Sequence, residues 1–323
     1  MGSLTAVIGA LYCFGQRHLK RMLAFSTISH VGLMLVGFAL LDARALGGMV
    51  LYLAGHGLIK AALFIGAGIL LHRFGSVDEY DLAQSARRLA PIGVLMALGA
   101  CGLAGLPPFA TFFGQLRIDE IGREQHLLWL PAITIFAEAL IAAAVFRFTA
   151  RAFFGFGHGK SMLTRGAPHL HTDVETSGEH WRVPAFMWAP MAALILGAAL
   201  IAIPLRGPAG HFAKAFETAP AYDAAVLNLN APAVGSTPFQ AFGRTYHGSN
   251  WWIPLAVALV AIGLVWAALF PKSRESVIAK PVSAGLSKSL IVLRMFQSGR
   301  MGDYVTWFAL GIAAYGGMLL LLR

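Results

Sequence analysis

The sequence predicts an all-α, polytopic membrane helix bundle of about eight transmembrane helices, with one broken helix and one interfacial amphipathic helix. Three observations carry this. Hydrophobic residues fill 57% of the 323 positions and charged residues only 12%, against roughly 45–50% and about 25% in soluble globular domains. The apolar residues come in long unbroken runs, not in the alternation of a membrane barrel. Lys and Arg collect in every second connection between those runs. An ordinary soluble enzyme, a disordered chain and a fibrous protein are excluded together.

A helix needs about 20 apolar residues to cross the bilayer. The first run, 5–15, is short and reads as the stump of a longer helix. Runs 22–41 and 46–71 follow, then 91–115, which is broken in its middle. After these come 127–149, 184–205, 251–270 and 301–322. Trp181, Trp251, Trp252 and Trp307 lie at or near the ends of runs, where aromatic rings anchor at the interface. Between 276 and 300, Leu286, Leu290 and Leu293 fall at helical spacing with Lys288 and Arg294 between them, and Pro281 interrupts the start. This segment is expected to lie along the membrane surface.

Counting Lys and Arg on alternating sides gives 17 for segments 16–21, 72–90, 147–182 and 271–300. The opposite side, 42–45, 116–126, 206–250 and the C-terminus, has 7. The richer side is expected to face the cytoplasm. The net charge of +10 is thereby explained without a nucleic-acid partner. Cys13 and Cys101 lie inside apolar runs and read as packing residues. The opening residues lack the basic start of a signal peptide and continue into a membrane pattern. His158, His169, His171 and His180 sit in one polar connection without the second ligand pair of a metal site, so no metal is expected.

Lys60 is the most informative residue. It lies in the middle of LYLAGHGLIKAALFIGAGIL with no neighbouring charge in sequence. A charge there costs about 2.5–3.5 kcal/mol, and such residues mark ion paths. An amine held away from water can give up and regain its proton near neutral pH. His56 stands one helical turn before it, on the same face. His30 occupies the middle of the preceding run. Glu138, in LPAITIFAEALIAAAVF, is the carboxylate within a predicted span; it could pair with a lysine, extend a proton relay or lock two helices. Gly105, Pro107 and Pro108 break the fourth run, and broken helices recur at ion sites of transporters.

These residues sit in three motifs whose order and spacing resemble one family. QRHLKRMLAFSTISHVGLM resembles the LKR-LAYSTISH-G signature of the antiporter-like L, M and N-type subunits of respiratory complex I, shared with Mrp cation/proton antiporters and membrane-bound hydrogenases. HGLIKAALFIGAG resembles their HAFFKALLFL-AG helix, and GLPPFATFFGQ their GLPPF-GFF-K broken helix. The following FRFTARAFFG end and, more weakly, the C-terminal MGDYVTWFALG also look similar. The resemblance implies that residues 1–123 form the C-terminal part of an antiporter-like proton-channel module, with additional helices over 124–323. By the same resemblance Lys60 matches the central lysine, His56 its companion histidine, His30 the M-type signature histidine, and Lys20 and Arg21 a cytoplasmic basic pair.

Three features depart from the pattern. The family's N-terminal helices, with their glutamate–lysine half-channel, have no counterpart, so a C-terminal fragment, a split subunit or a mis-started reading frame is expected. The titratable Lys or Glu of the broken helix falls on Gln115, which cannot carry a proton; Arg117, Asp119 and Glu120 follow within two to five residues. Segment 276–300 is much shorter than the lateral helix of L-type subunits.

The resemblance implies a multi-pass subunit of the cell (inner) membrane that conducts protons, or exchanges a cation such as sodium for protons, in a complex I-like NADH–quinone oxidoreductase or hydrogenase assembly. The alternatives are an Mrp-type antiporter component and a non-conducting scaffold. With no flavin, iron–sulfur or nucleotide motif, no cofactor is expected in this chain, and redox chemistry would belong to partner membrane subunits.

Overall fold

The computed structural model describes residues 1–83, 85–157, 185–202 and 252–270, with the isolated positions 313 and 317. The chain divides into two compact units, Met1–Arg274 and Glu275–Arg323. The run 301–322 and the amphipathic segment 276–300 lie outside the described residues except for those two positions, and the histidines of 158–180 lie outside them entirely.

Among the described residues the helices are, in chain order, α1 (Gly2–Gly15), α2 (Leu19–Ala39), α3 (Ala43–Phe74), α4 (Ala90–Leu103), α5 (Ala110–Glu124), α6 (Leu130–Phe154), α7 (Ala185–Leu200) and α8 (Trp252–Leu269). A short 3-10 turn, Ser85–Leu89, leads into α4. The described residues contain no strand, only an isolated bridge between His18 and Asp78. Five helical stretches are long and apolar enough to cross a membrane; α1 and α7 are shorter apolar helices.

A soluble helix turns its apolar stripe inward, whereas α2 does not follow that rule. Ile28, Val31, Leu35 and Phe38 form an exposed stripe at helical spacing, while Ser26, Ser29 and His30 are buried. A helix apolar outside and polar inside suits a hydrocarbon solvent. Helix contact then needs close approach more than hydrophobic surface. A Cβ on Gly9 would stand 2.9 Å from Ser29 Cα, and one on Gly32 2.9 Å from Ala6 Cα. The gap is small enough for Ser29 Oγ to donate to the Ala6 carbonyl at 2.6 Å. Gly32→Leu should therefore destabilise the chain by about 1–3 kcal/mol. Gly57→Leu is the control, because nothing lies within 4 Å of its Cβ position. Thermal unfolding in detergent checks the pair; equal midpoints would mean that α1 and α2 do not pack through this seam.

α3 is 32 residues long, roughly 48 Å, longer than the ~30 Å hydrocarbon core. The Asp42 side chain caps its start by accepting from the Arg44 backbone N–H, and Gly75 closes its end at φ 64°. Lys60 therefore lies roughly 21–26 Å from either end, near the middle of the helix.

The predicted break in the fourth run is present. α4 stops at Leu103 and α5 starts at Ala110, with Gly105 at φ 59° and a cis Pro107–Pro108 peptide between them. Thr111 Oγ1 donates to the Gly102 carbonyl at 2.7 Å, satisfying one backbone group that the break frees. α5 runs on to Glu124, nine positions past the predicted end.

Connections assigned to one side by charge counting meet in space. Arg147, about two turns before the end of α6, donates to the carbonyls of Phe14 and Gln16 and to Glu79, while Arg151 reaches Glu79 and the Ala268 carbonyl. On the other side Arg44 pairs with Glu124 at 2.7 Å, and Gln125 donates to the Leu40 carbonyl. This pairing keeps the alternation of sides, with α4 and α5 counted as one broken crossing.

Candidate functional site

α2, α3 and α6 contribute one string of buried polar groups. Tyr52, His56 and Lys60 recur every fourth residue of α3, so they share one face. His30 comes from α2 and Glu138 from α6. None of the five is more than 6% exposed.

At one end, Lys60 Nζ donates to the Leu23 carbonyl and to Ser26 Oγ. The same carbonyl accepts from Ser26 Oγ at 2.8 Å and from Thr27 Oγ1 at 3.1 Å. The Phe64 ring lies 5.9 Å from the amine. Among the described residues no carboxylate pairs with Lys60, so the amine is held by neutral oxygens.

One turn away, the His56 ring sits 4.6 Å from the His30 ring, centre to centre, and parallel to Tyr52 within 6°. His30 Nδ1 is 2.5 Å from the Tyr52 hydroxyl, which donates to Glu138 Oε1 at 3.4 Å. Both His56 ring nitrogens and His30 Nε2 are buried without a partner among the described residues. Buried polar atoms of this kind are satisfied by water.

Glu138 abuts the helix break. A Cβ on Gly105 would stand 2.9 Å from each Glu138 carboxylate oxygen, so glycine is required there for its positive φ and for space. A void of about 10 Å³ lies between Gly105, Gln115, Asp119 and Glu138, lined also by Ile253 and Pro254 near the start of α8. Such a volume is close to what one water occupies. Gln115 Nε2 donates to Asp119 Oδ1 at 3.2 Å and Thr134 Oγ1 at 3.1 Å, and Thr134 donates to Asp119 Oδ1 at 3.1 Å. Gln115 Oε1 is buried and has no partner among the described residues.

The residues singled out from sequence thus converge, with two qualifications. Glu138 meets the Tyr52 hydroxyl and makes no ion pair with a lysine among the described residues. Pro107 and Pro108 are exposed and shape the break without facing the polar string. Tyr52 was missed, although its place one turn before His56 was a usable signal. Also missed was a buried ion cluster, in which Glu79 bonds Arg147 at 3.1 Å and Arg151 at 2.6 Å, all three at most 2% exposed.

Comparison with known proteins agrees with the motifs. Residues 1–141 match the family described as NADH:quinone oxidoreductase/Mrp antiporter, TM. The chain is 35% identical over 118 residues to NAD(P)H-quinone oxidoreductase chain 4 1 of Synechococcus sp. (strain JA-2-3B'a(2-13)), covering 36% of this chain and 22% of that one. It is 26% identical over 155 residues to a Na(+)/H(+) antiporter subunit of Bacillus subtilis (strain 168), covering 48% and 31%. A chain of the Mrp complex from Dietzia sp. DQ12-45-1b has a similar fold, with TM-score 0.54 at 21% identity over 67% of this chain and 46% of that one. The chain therefore spans under a third of the length of these two curated relatives. The resemblance carried by the three motifs holds across residues 1–141.

Proposed function

We propose that the segment matching the NADH:quinone oxidoreductase/Mrp antiporter family conducts protons through the membrane along Lys60, His56, His30, Tyr52 and Glu138. The observation that supports this best is that these groups follow one another through three helices, with His30, Tyr52 and Glu138 bonded in series and three ring nitrogens between Lys60 and Tyr52 without a partner among the described residues. Lys60 is the storage site, since its amine is met by neutral oxygens that tolerate either protonation state. Tyr52 is the switch. It has a single hydroxyl proton, so it can donate to Glu138 while accepting from His30 Nδ1–H. It can instead donate to a bare His30 Nδ1 when Glu138 carries a proton of its own. Moving one proton along the string reverses each bond in turn.

The chain supplies a path and not the work. Moving one charge across the membrane takes about 2.3 kcal/mol per 100 mV, which partner membrane subunits or an opposing ion gradient provide. We place the chain in the cell (inner) membrane, within an assembly of the quinone-oxidoreductase or Mrp kind. Redox chemistry, where present, belongs to partner subunits.

Glu138→Gln keeps the shape and removes the titrating group. Reconstituted in vesicles with an internal pH dye, it should lower proton flux about 100-fold, within the range for a positioned proton-transfer group. Unchanged flux would remove Glu138 from the path. An imposed sodium gradient that drives proton movement in the wild-type chain, and not in this variant, identifies cation exchange as the activity.

A further inference from the structure

Asp119 is buried at 1% exposure, yet the string from Lys60 to Glu138 does not use it. It lies one helical turn beyond Gln115, on the same face of α5. Both residues line the void against Glu138. The amide nitrogen of Gln115, a residue 4% exposed, grips Asp119 and Thr134, and its oxygen meets no donor among the described residues. A water in the void would find Gln115 Oε1, Asp119 and Glu138 around it, within the two to four polar partners that hold a buried water.

We infer that Asp119 is the proton-carrying carboxylate of the broken helix, exchanging protons with Glu138 through one water held in the void, with Gln115 as its positioning residue. This rests on the proton-conduction reading above. In the step, the Glu138 O–H bond breaks as its proton bonds to the water oxygen. One of the water's own O–H bonds breaks as that proton bonds to the Asp119 carboxylate. One proton moves, the water is regenerated, and no other reactant is needed. An amide at position 115 cannot take part, but it orients the carboxylate that does.

The test uses the full chain in vesicles with an internal pH dye. Asp119→Asn should lower proton flux about 100-fold. The double variant Asp119→Asn with Gln115→Glu, which returns a carboxylate to the void from the preceding turn, should recover most of it. If Asp119→Asn keeps wild-type flux while Glu138→Gln and Lys60→Met lose it, the inference falls and conduction stands. If all three keep it, the conduction reading falls as well. A double variant that stays inactive also overturns the inference, because the single loss is then a packing defect. Infrared difference spectra of the wild-type chain with isotope-labelled aspartate give a readout independent of any variant's folding. They should show a buried aspartyl group changing protonation with pH, and the absence of such a band overturns the inference.

Discussion

Lys60→Met should lower proton flux by two or more orders of magnitude while leaving the protein as stable as before, or more so. Loss of a positioned proton-transfer group costs about 10²–10⁴-fold. The stability side follows from what surrounds the amine. A charge at the centre of a membrane helix costs about 2.5–3.5 kcal/mol, and here no carboxylate offsets it among the described residues. Methionine fills a similar volume and brings no charge. The oxygens it abandons keep other partners, since Ser26 Oγ donates to the Leu23 carbonyl at 2.8 Å and Thr27 Oγ1 donates there too. Flux in vesicles and thermal unfolding in detergent should therefore move in opposite directions, or unfolding should not move at all. A structural lysine predicts the reverse, with a lower unfolding midpoint and intact flux, and that outcome would remove Lys60 from the path. His56→Ala is a milder companion, because its ring nitrogens have no partner among the described residues and a water could take the place of the lost ring in the proposed path.

What was legible in the sequence follows a physical divide. Helices α2, α3 and α6 could be read because apolar length is a requirement of the bilayer, not a preference. The break was legible because Gly105, Pro107 and Pro108 cannot continue a helix. Lys60 and Glu138 stood out because each is a charge in an apolar run. Tyr52 did not, since a tyrosine in such a run differs little from the aromatics that pack or anchor there, and only the His30 and Glu138 contacts give its hydroxyl a role. Asp119 lay beyond the predicted end of the fourth run, yet α5 continues past it and other helices cover it. Burial of a polar-looking segment depends on neighbours distant in sequence, and no local pattern encodes them.

Glu79 makes the same point with the largest expected effect on stability. A glutamate in the connection GSVDEYD reads as a solvated charge, but it is fully buried and bonded to two arginines of α6. Glu79→Ala would leave Arg147 and Arg151 facing each other without a carboxylate, and breaking a buried ion pair by removing one partner costs about 3–5 kcal/mol. Glu79→Gln should fall between alanine and wild type, because the amide oxygen still accepts a hydrogen bond but carries no charge. The neighbouring Asp78 is the control. Its contact to Arg17 is 3.9 Å long, its side chain is 25% exposed and its Oδ1 accepts the Tyr80 backbone N–H at 2.9 Å, so Asp78→Ala should cost only about 1–2 kcal/mol, one turn hydrogen bond and a solvated pair. Equal unfolding midpoints for the two alanine variants would show that the cluster is solvated and holds nothing together. Removing the arginine is no remedy for the lost glutamate, because Arg147 also donates to the Phe14 and Gln16 carbonyls at the end of α1 at 2.8 and 2.7 Å. Arg147→Met combined with Glu79→Ala should therefore remain destabilised, with the residual cost set by backbone carbonyls that have lost their charged donor.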